Sequence, residues 1–321
     1  MQNPPVSFFS DVERDLVVAD RTVLADGVLA LDLVSHNGRD LPAWTPGSHV
    51  DVVLRPGLER QYSLCGDAAD RSRWRIAVLR EADGGGGSTA LHDDVAVGQR
   101  LRVRGPRNHF VFEVTPGTRY RFVAGGIGIT PLRAMVAAAD AAGADWHLDY
   151  AGRSRSTMAF ADELAAAHPD RVRLHVADEG GRLDVAGLAP DAGTALYACG
   201  PARLLDALEE VAGVGVLHVE RFEAKEFGEP RWPGPFEVEL ALTGSTVTVQ
   251  PGVSVLDAVA EAGVDVLSSC RVGTCGTCET PVLEGAVEHR DSVLSPGERA
   301  EDTVMMVCVS RAAGPRLVLD L

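Results

Sequence analysis

Four cysteines near one end of this 321-residue chain constrain its fold more than any other feature. Cys270, Cys275 and Cys278 stand as CRVGTCGTC, a C-x4-C-x2-C run, and Cys308 follows after 29 intervening residues. This is the ligand spacing of a plant-type 2Fe-2S cluster. A loop that presents three thiolates to one two-iron rhomb must bend sharply between them, which Gly273 and Gly276 permit. The fourth ligand then comes from a distant segment. The competing readings are a structural zinc site, which usually shows two C-x2-C pairs or a Cys/His mixture, and the disulfides of a secreted protein. Cys65 and Cys199 lie far apart, each in a motif of its own, which argues against a disulfide framework. The spacing therefore predicts one-electron transfer, and the rest of the chain must supply the donor.

The length suits two or three domains, and 45% hydrophobic residues with both charge signs present indicate an ordered soluble protein rather than a disordered or fibrous one. A net charge of -16 argues against nucleic acid or an anionic membrane as partner, and suits docking on a basic patch of another protein or simple solubility. The N-terminal stretch MQNPPVSFFSDVERD lacks a basic segment followed by an apolar run, and no apolar segment reaches spanning length, so a cytoplasmic location is expected.

Up to about residue 112 the pattern is short alternating apolar runs broken by Gly, Pro and Asp: LVVADRTVL, VLALDLVSH, HVDVVLR, QYSLC, RWRIAVLRE, QRLRVRGP and HFVFEV. These predict antiparallel strands closing a small barrel. After Pro116 the runs RYRFVAGG, HLDYAGRS, RVRLHVAD and ALYACG alternate with helical stretches such as PLRAMVAAADAAG and ARLLDALEEVAG, the signature of a parallel sheet with crossover helices. In EAKEFGEPRWPGP charged clusters and three prolines replace the periodicity, which reads as a linker. Beyond it FEVELAL and TVTVQ predict a hairpin around Gly244, and SVLDAVAEAGV a short helix N-capped by Ser254.

Five groups of residues suggest the donor chemistry. Arg60, Tyr62 and Ser63, in RQYSL, can supply a cation for a flavin phosphate, a wall for its ring and a partner near its N5 atom. Gly86, Gly87, Ser88 and Thr89 precede a short helical pattern, where successive amides and two hydroxyls suit an anion; a flexible glycine loop is the plainer reading. Gly125, Gly126, Gly128 and Thr130, in AGGIGITP, lie between a strand and a helix, where backbone can approach a pyrophosphate and Pro131 costs no hydrogen bond. This is not the G-x-G-x-x-G fingerprint. Cys199, Gly200 and Pro201 end a later strand, with a buried strand cysteine as the plain alternative. Arg153, Ser154 and Arg155 follow the second strand of the parallel sheet, where a carboxylate would bind ribose hydroxyls and a cation a 2'-phosphate. Two arginines and no carboxylate in that stretch lean slightly towards NADPH over NADH.

RQYSL, GGGGSTALH, GGIGITP, ACGP and the C-terminal cysteine module, in that order, resemble the phthalate dioxygenase reductase family of iron-sulfur flavoproteins. The family includes reductase components of vanillate-type O-demethylases and reductase modules fused to some haem monooxygenases. The resemblance covers essentially the whole chain. It implies a multidomain α/β and β fold: an FMN-binding, ferredoxin reductase-like antiparallel β-barrel (1–113), an NAD(P)-binding parallel α/β domain (114–224), a linker (225–235) and a β-grasp 2Fe-2S ferredoxin (236–321). It further implies that Arg60 meets the FMN phosphate, Gln61 and Tyr62 line the ring, Ser63 approaches N5, and Gly87, Ser88 and Thr89 cradle the phosphate. Cys199 would sit near the nicotinamide, and Phe222 and Glu223, in RFEAK, in the segment closing over the flavin. FMN rather than FAD is implied by the resemblance alone. The implied function is the reductase of an oxygenase system, serving a Rieske-type aromatic oxygenase or O-demethylase, with a haem monooxygenase second and a monomer expected. A ferredoxin carrier without flavin and a zinc-stabilised binding module are the readings from other classes.

Overall fold

The computed structural model describes residues 12–55, 58–82, 85–212 and 216–321; the extreme N-terminus and Gly84 of the glycine run lie outside the described residues. The chain divides into two compact units, residues 1–220 and 221–321.

In the first unit, β1 (Glu13–Ala25), β2 (Val28–Ser35), β3 (His49–Arg55), β4 (Leu58–Ser63), β5 (Arg73–Leu79) and β6 (Arg100–Arg107) form one antiparallel sheet ordered β4-β3-β6-β1-β2-β5. Leu64, just past β4, bridges back to Ile76 of β5 and closes the sheet into a barrel. Period-2 alternation drives this: Leu16, Val18, Leu29, Leu31, Leu33, Val50, Val52, Trp74, Ile76 and Val78 all point into one buried cluster. Helix α1 (Gly87–Asp93) follows the glycine run. Residues 109–114, expected as a strand, form no ladder. With the sheet closed on itself, HFVFEV finds no free edge there, and its alternation has another cause: Phe110 and Phe112 insert among Tyr120, Phe122 and Tyr197, with Phe112 edge-on to Tyr197 at 5.1 Å.

Strands β7 (Arg119–Gly125), β8 (Asp145–Gly152), β9 (Val172–Val176), β10 (Thr194–Cys199) and β11 (Leu217–Glu220) build a parallel sheet ordered β11-β10-β7-β8-β9, with helices α2 (Ile129–Ala141), α3 (Ala161–Ala167) and α4 (Ala202–Val211). The order reverses between β7 and β10, so their carboxyl ends flank the crevice where open α/β sheets bind ligands. Barrel and sheet share one core, in which Val28, Cys65 and Ala77 lie with Phe122, Met135 and Trp146. Arg133 of α2 donates to the Cys65 carbonyl at 2.5 Å, and the Asp26 amide donates to the Ser156 carbonyl at 2.7 Å.

The second unit contains β12 (Phe236–Leu240), β13 (Ser245–Val249), α5 (Val255–Glu261), β14 (Glu279–Glu284), β15 (Val287–Glu288), α6 (Pro296–Glu301), β16 (Val304–Met306), β17 (Arg311–Ala312) and β18 (Arg316–Leu319). Its main sheet runs β13-β12-β18-β14-β16, with β12 and β18 parallel and α5 packed on the same core, which is a β-grasp. The β12–β13 hairpin turns at Gly244, and Ser254 caps α5 by accepting the Asp257 amide at 3.0 Å. Within this unit, irregular residues 225–235 are held by Lys225 N–H to Ser292 Oγ at 3.2 Å, Arg231 N–H to Glu288 at 2.8 Å and Trp232 packing on the core. Helix α6, absent from the sequence reading, starts with a capping box between Ser295 and Glu298 and proline in its first turn. Among the described residues no helix is long and apolar enough to cross a membrane.

Candidate functional site: a thiol loop and a flavin–nicotinamide junction

In the second unit all four cysteines of the motif are free thiols; Cys275, Cys278 and Cys308 are buried and Cys270 is half-buried. The loop curls because Arg271, Gly273 and Gly276 adopt left-handed backbone. Gly273 has no alternative: a Cβ there would stand 2.6 Å from Val309 Cγ2 and 3.1 Å from the Asp291 backbone. The curl turns amides onto sulfur, with Val272 and Thr274 each donating to Cys270 Sγ at 3.4 Å and Thr277 donating to Cys275 Sγ at 3.4 Å. The thiols act on one another. The hydrogen bond with Cys270, then burial, pushes the Cys275 thiol above its usual range. Contact with Cys270 lowers Cys308, but Cys278 and burial outweigh it and carry Cys308 up to about 12. Four neighbouring thiols, three of them buried, with amides aimed at Cys270 and Cys275 form a donor set that fits an iron-sulfur centre, whose irons and sulfides would take up the thiolate charge.

Beneath the loop lies Asp291, fully buried and absent from the sequence reading. It accepts the Val293 and Leu294 amides at 3.0 and 2.8 Å and the Ser310 hydroxyl at 3.4 Å, while the next residue, Ser292, donates its amide to Gly273 at 2.7 Å. Asp291 thus ties the cysteine loop to the segment following Cys308. A lone acid in HRDSVLS is the only signal that could have marked it.

In the first unit, β4 carries RQYSL along the barrel. Arg60 lies across the glycine run, donating to the Gly85 carbonyl at 3.1 Å, and a Cβ on Gly87 would stand 2.4 Å from Arg60 Cγ. The structure therefore brings Arg60, Gly86, Gly87, Ser88 and Thr89 together, a cation beside amides that fits a phosphate. The two hydroxyls serve the fold: Ser88 Oγ accepts the Glu81 amide at 3.1 Å, and Thr89 Oγ1 donates to the Gly86 carbonyl at 2.9 Å. Gln61 donates to Asp51 at 3.0 Å. Tyr62 packs against the barrel core, and burial holds its phenol above the usual range.

Ser63 ends β4 at the parallel sheet, where its hydroxyl donates to Glu220 Oε2 at 3.4 Å. Glu220 pairs in register with Cys199 across β10 and β11. Burial pushes the Glu220 carboxyl up to about 8 against the lowering effect of the Ser63 hydrogen bond, and burial followed by Glu220 itself lifts the Cys199 thiol well above its usual range. Ser63, Glu220 and Cys199 thus form a cluster in which burial favours the uncharged forms, so Cys199 is a thiol rather than a nucleophilic thiolate. Sequence reasoning missed Glu220, since a carboxylate closing the four-residue strand LHVE carries no local sign of its tertiary neighbours. Phe222 and Glu223 are exposed residues of the second unit.

The glycine turn after β7 meets the CGP turn after β10 at the order reversal. A Cβ on Gly128 would stand 2.2 Å from the Cys199 carbonyl oxygen, and one on Gly125 2.7 Å from Pro201 Cδ and 3.3 Å from Gly200 Cα. Only glycine lets these backbones touch, which sets the amino-terminal end of helix α2 at the meeting point of the two turns. Thr130 is buried and donates to the Ile127 carbonyl at 3.0 Å, so it closes the turn. Arg155 is engaged: Nε and Nη2 donate to Glu179 at 3.2 and 3.4 Å, and Nη1 to Asp162 at 3.3 Å. The carboxylates that the strand end lacks in sequence arrive from α3 and from the turn after β9, which corrects the sequence premise for a phosphate-binding arginine. Arg153 is exposed nearby, and Ser154 Oγ is bonded to Thr157 Oγ1 at 3.1 Å.

Residues 238–313 match the family model for a 2Fe-2S iron-sulfur cluster binding domain. The chain is 44% identical to the toluene-4-sulfonate monooxygenase system reductase subunit of Comamonas testosteroni, over 95% of this chain and 98% of that one. Among solved structures it superposes on a phthalate dioxygenase reductase with TM-score 0.68 and 34% identity, covering 96% and 98% of the two chains. It also superposes on an intact type IV self-sufficient cytochrome P450 monooxygenase with TM-score 0.91 and 44% identity, over 100% of this chain and 43% of that one. With the β-barrel, the parallel nucleotide-type sheet and the β-grasp module in this order, the chain belongs to the phthalate dioxygenase reductase family of iron-sulfur flavoprotein oxidoreductases.

Proposed function

We propose that this protein takes electrons from a reduced nicotinamide dinucleotide and delivers them singly to a Rieske-type aromatic oxygenase or O-demethylase, using FMN and a 2Fe-2S cluster. The observation that carries this reading is the Ser63–Glu220 contact, which brings the strand of Arg60, Gln61, Tyr62 and Ser63 to the carboxyl end of β11, beside Cys199 of β10 and one strand from the switch point. FMN, when bound, would accept a hydride from the nicotinamide and release its two electrons one at a time towards the iron-sulfur centre.

The chain's own residues work by position and electrostatics. Arg60 with the amides of Gly86 to Thr89 holds the flavin phosphate, and Tyr62 and Gln61 border the ring. The turn of Gly125, Gly126 and Gly128, closed by Thr130, holds the dinucleotide pyrophosphate, while Cys199, Gly200 and Pro201 bound the place for the nicotinamide. Glu220, protonated at neutral pH, keeps negative charge away from the point where a hydride brings more, and Ser63 holds a hydrogen-bonding hydroxyl there. Cys270, Cys275, Cys278 and Cys308 hold the irons, and the Val272, Thr274 and Thr277 amides tune the sulfurs.

The charge surplus, 46 acidic against 30 basic residues, supports a basic docking face on the oxygenase. A haem monooxygenase is the second reading, favoured by the close superposition on the self-sufficient P450. Anaerobic titration of the purified protein with NADH and NADPH, with mass spectrometry of the released flavin and iron and sulfide analysis, tests the assignment. The expected result is FMN, about two irons and two labile sulfides per chain, and flavin bleaching before reduction of the cluster. Protein lacking labile sulfide after anaerobic reconstitution would end this reading.

A further inference from the structure

Cys308 is the one cysteine of the motif that stands outside the cysteine loop, and two segments that fix its place against that loop converge on Asp291. On one side the Gly273 amide is bonded to the Cys308 sulfur. Gly273 itself lies flat on Asp291, since a Cβ there would stand 3.1 Å from Asp291 Cα, and its carbonyl accepts the Ser292 amide at 2.7 Å. On the other side Ser310, two residues past Cys308, donates its hydroxyl to Asp291 Oδ1 at 3.4 Å, and that hydroxyl accepts the Arg290 amide at 3.2 Å. Asp291 Oδ2 takes the Val293 and Leu294 amides at 3.0 and 2.8 Å, so the carboxylate is held from both ends.

No equally buried cation matches this carboxylate. The Asp291 side chain is 0% exposed, whereas Arg299, 3.6 Å from Oδ2, keeps 29% of its side chain in water. His289 Nδ1 stands 3.7 Å from Oδ1, and Asp302, 3.0 Å from Nε2, offsets any charge that the ring takes up. Burial raises the Asp291 carboxyl, but the His289 hydrogen bond, the Leu294 amide, Arg299 and the Val293 amide together bring it below its ordinary 3.8. It is therefore ionised at neutral pH. A fixed anion in a low-dielectric interior is felt more strongly than one in water, and nearby charge is among the quantities that set an iron-sulfur potential.

We infer that Asp291 is a positioning residue with two tasks: it seats Cys308 against the cysteine loop, and its buried negative charge disfavours the added electron on the 2Fe-2S centre, which makes the reduced centre a stronger donor. An electron that reaches the centre is thereby pressed onward to the acceptor and not stored. The two tasks are separable, because the seat depends on hydrogen-bond geometry and the potential on charge.

The inference rests on the iron-sulfur part of the reductase reading, and the experiment separates the two. With intact holoprotein, the midpoint potential of the centre is measured by anaerobic dye-mediated titration, followed through the electron paramagnetic resonance signal of the reduced centre, whose g values also report the ligand geometry. Asp291→Asn keeps the shape and an acceptor oxygen but not the charge. It should leave the g values as in wild type and favour the reduced centre by about tenfold, equal to about 59 mV for a one-electron couple. Asp291→Ala removes the seat as well, and should shorten the half-life of the iron-sulfur absorbance about tenfold, with Asp291→Asn restoring it to within about threefold of wild type. Arg299→Gln, on the partly exposed α6, leaves the Asp291 charge less balanced and should disfavour the reduced centre by about threefold, the opposite sign. That variant decides the question if Asp291→Asn protein holds no centre. A potential within about twofold of wild type in Asp291→Asn, a fall absent in Arg299→Gln, or a wild-type half-life in Asp291→Ala would overturn the inference and leave the reductase assignment standing. Wild-type protein without labile sulfide after anaerobic reconstitution would overturn both.

Discussion

The two sites are built in opposite ways. In the second unit the ligands are the residues themselves, three of them within nine positions, and a curled backbone supplies the rest. In the first unit nothing is contiguous: Ser63, Cys199 and Glu220 come from β4, β10 and β11, and meet only because a closed barrel packs against a parallel sheet through a shared core. A site made of covalent ligands fails when one ligand is lost, whereas a site made of positioned, neutral groups degrades by steps. The difference gives an order of severity.

The largest effect is expected at Cys275. Replacing it with serine removes one of four thiolates from a buried position, and reduction of one-electron acceptors should fall by about three orders of magnitude or more, since the cluster is the only route proposed for single electrons. Flavin bleaching by NADH should stay within about threefold of wild type. Stopped-flow absorbance resolves the two, and a parallel loss of both would break the contrast between the sites.

A smaller, pH-dependent effect is expected at Glu220. Its carboxyl titrates at about 8 in the folded protein against an ordinary 4.5, so the folded state binds the extra proton between those values. Stability conferred by that proton is complete below the unfolded value and is lost as pH rises through the folded one. Wild-type flavin reduction should therefore decline as pH passes about 8, when a charged Glu220 faces the incoming hydride. Glu220→Gln should keep the rate within about tenfold and lose that inflection, while Glu220→Ala should cost more at every pH. An unchanged inflection in the glutamine variant would assign the titration to another group.

How far each site was legible follows from the same contrast. The cysteine spacing, the RQYSL strand, the glycine run and the order of strands and helices are local patterns, and they led to the barrel, the parallel sheet and the β-grasp. What escaped was tertiary. HFVFEV alternates like a strand, yet the barrel is closed by the Leu64–Ile76 bridge and its phenylalanines are claimed by the next sheet. Glu179 and Asp162 reach Arg155 from segments 24 and 7 residues away, so a reading confined to YAGRSRS saw only cations. Glu220 and Asp291 are ordinary acids in sequence, and become notable only because the fold sets Glu220, half-buried, beside Ser63 and buries Asp291 under Gly273. Helix α6 is the exception, since Ser295, Pro296 and Glu298 announce it locally and the pattern was passed over.

That helix provides the mildest test. Ser295 Oγ accepts the Glu298 amide at 3.3 Å and Glu298 returns the bond to the Ser295 amide at 2.8 Å, while Arg299 of the same helix donates to the Asp291 carbonyl at 2.8 Å. The cap therefore supports the turn on which the cysteine loop rests, without touching a cysteine. Ser295→Ala should cost about 1 kcal/mol, the usual worth of a serine cap. In a unit of this size that lowers the midpoint for thermal loss of the iron-sulfur absorbance by about 4–8 °C. The cluster's spectrum below the transition should be unchanged, because the thiolates and their amides stay in place. An altered spectrum at low temperature would mean that the loop geometry depends on α6 directly, and the site would then share the distributed character of the junction in the first unit.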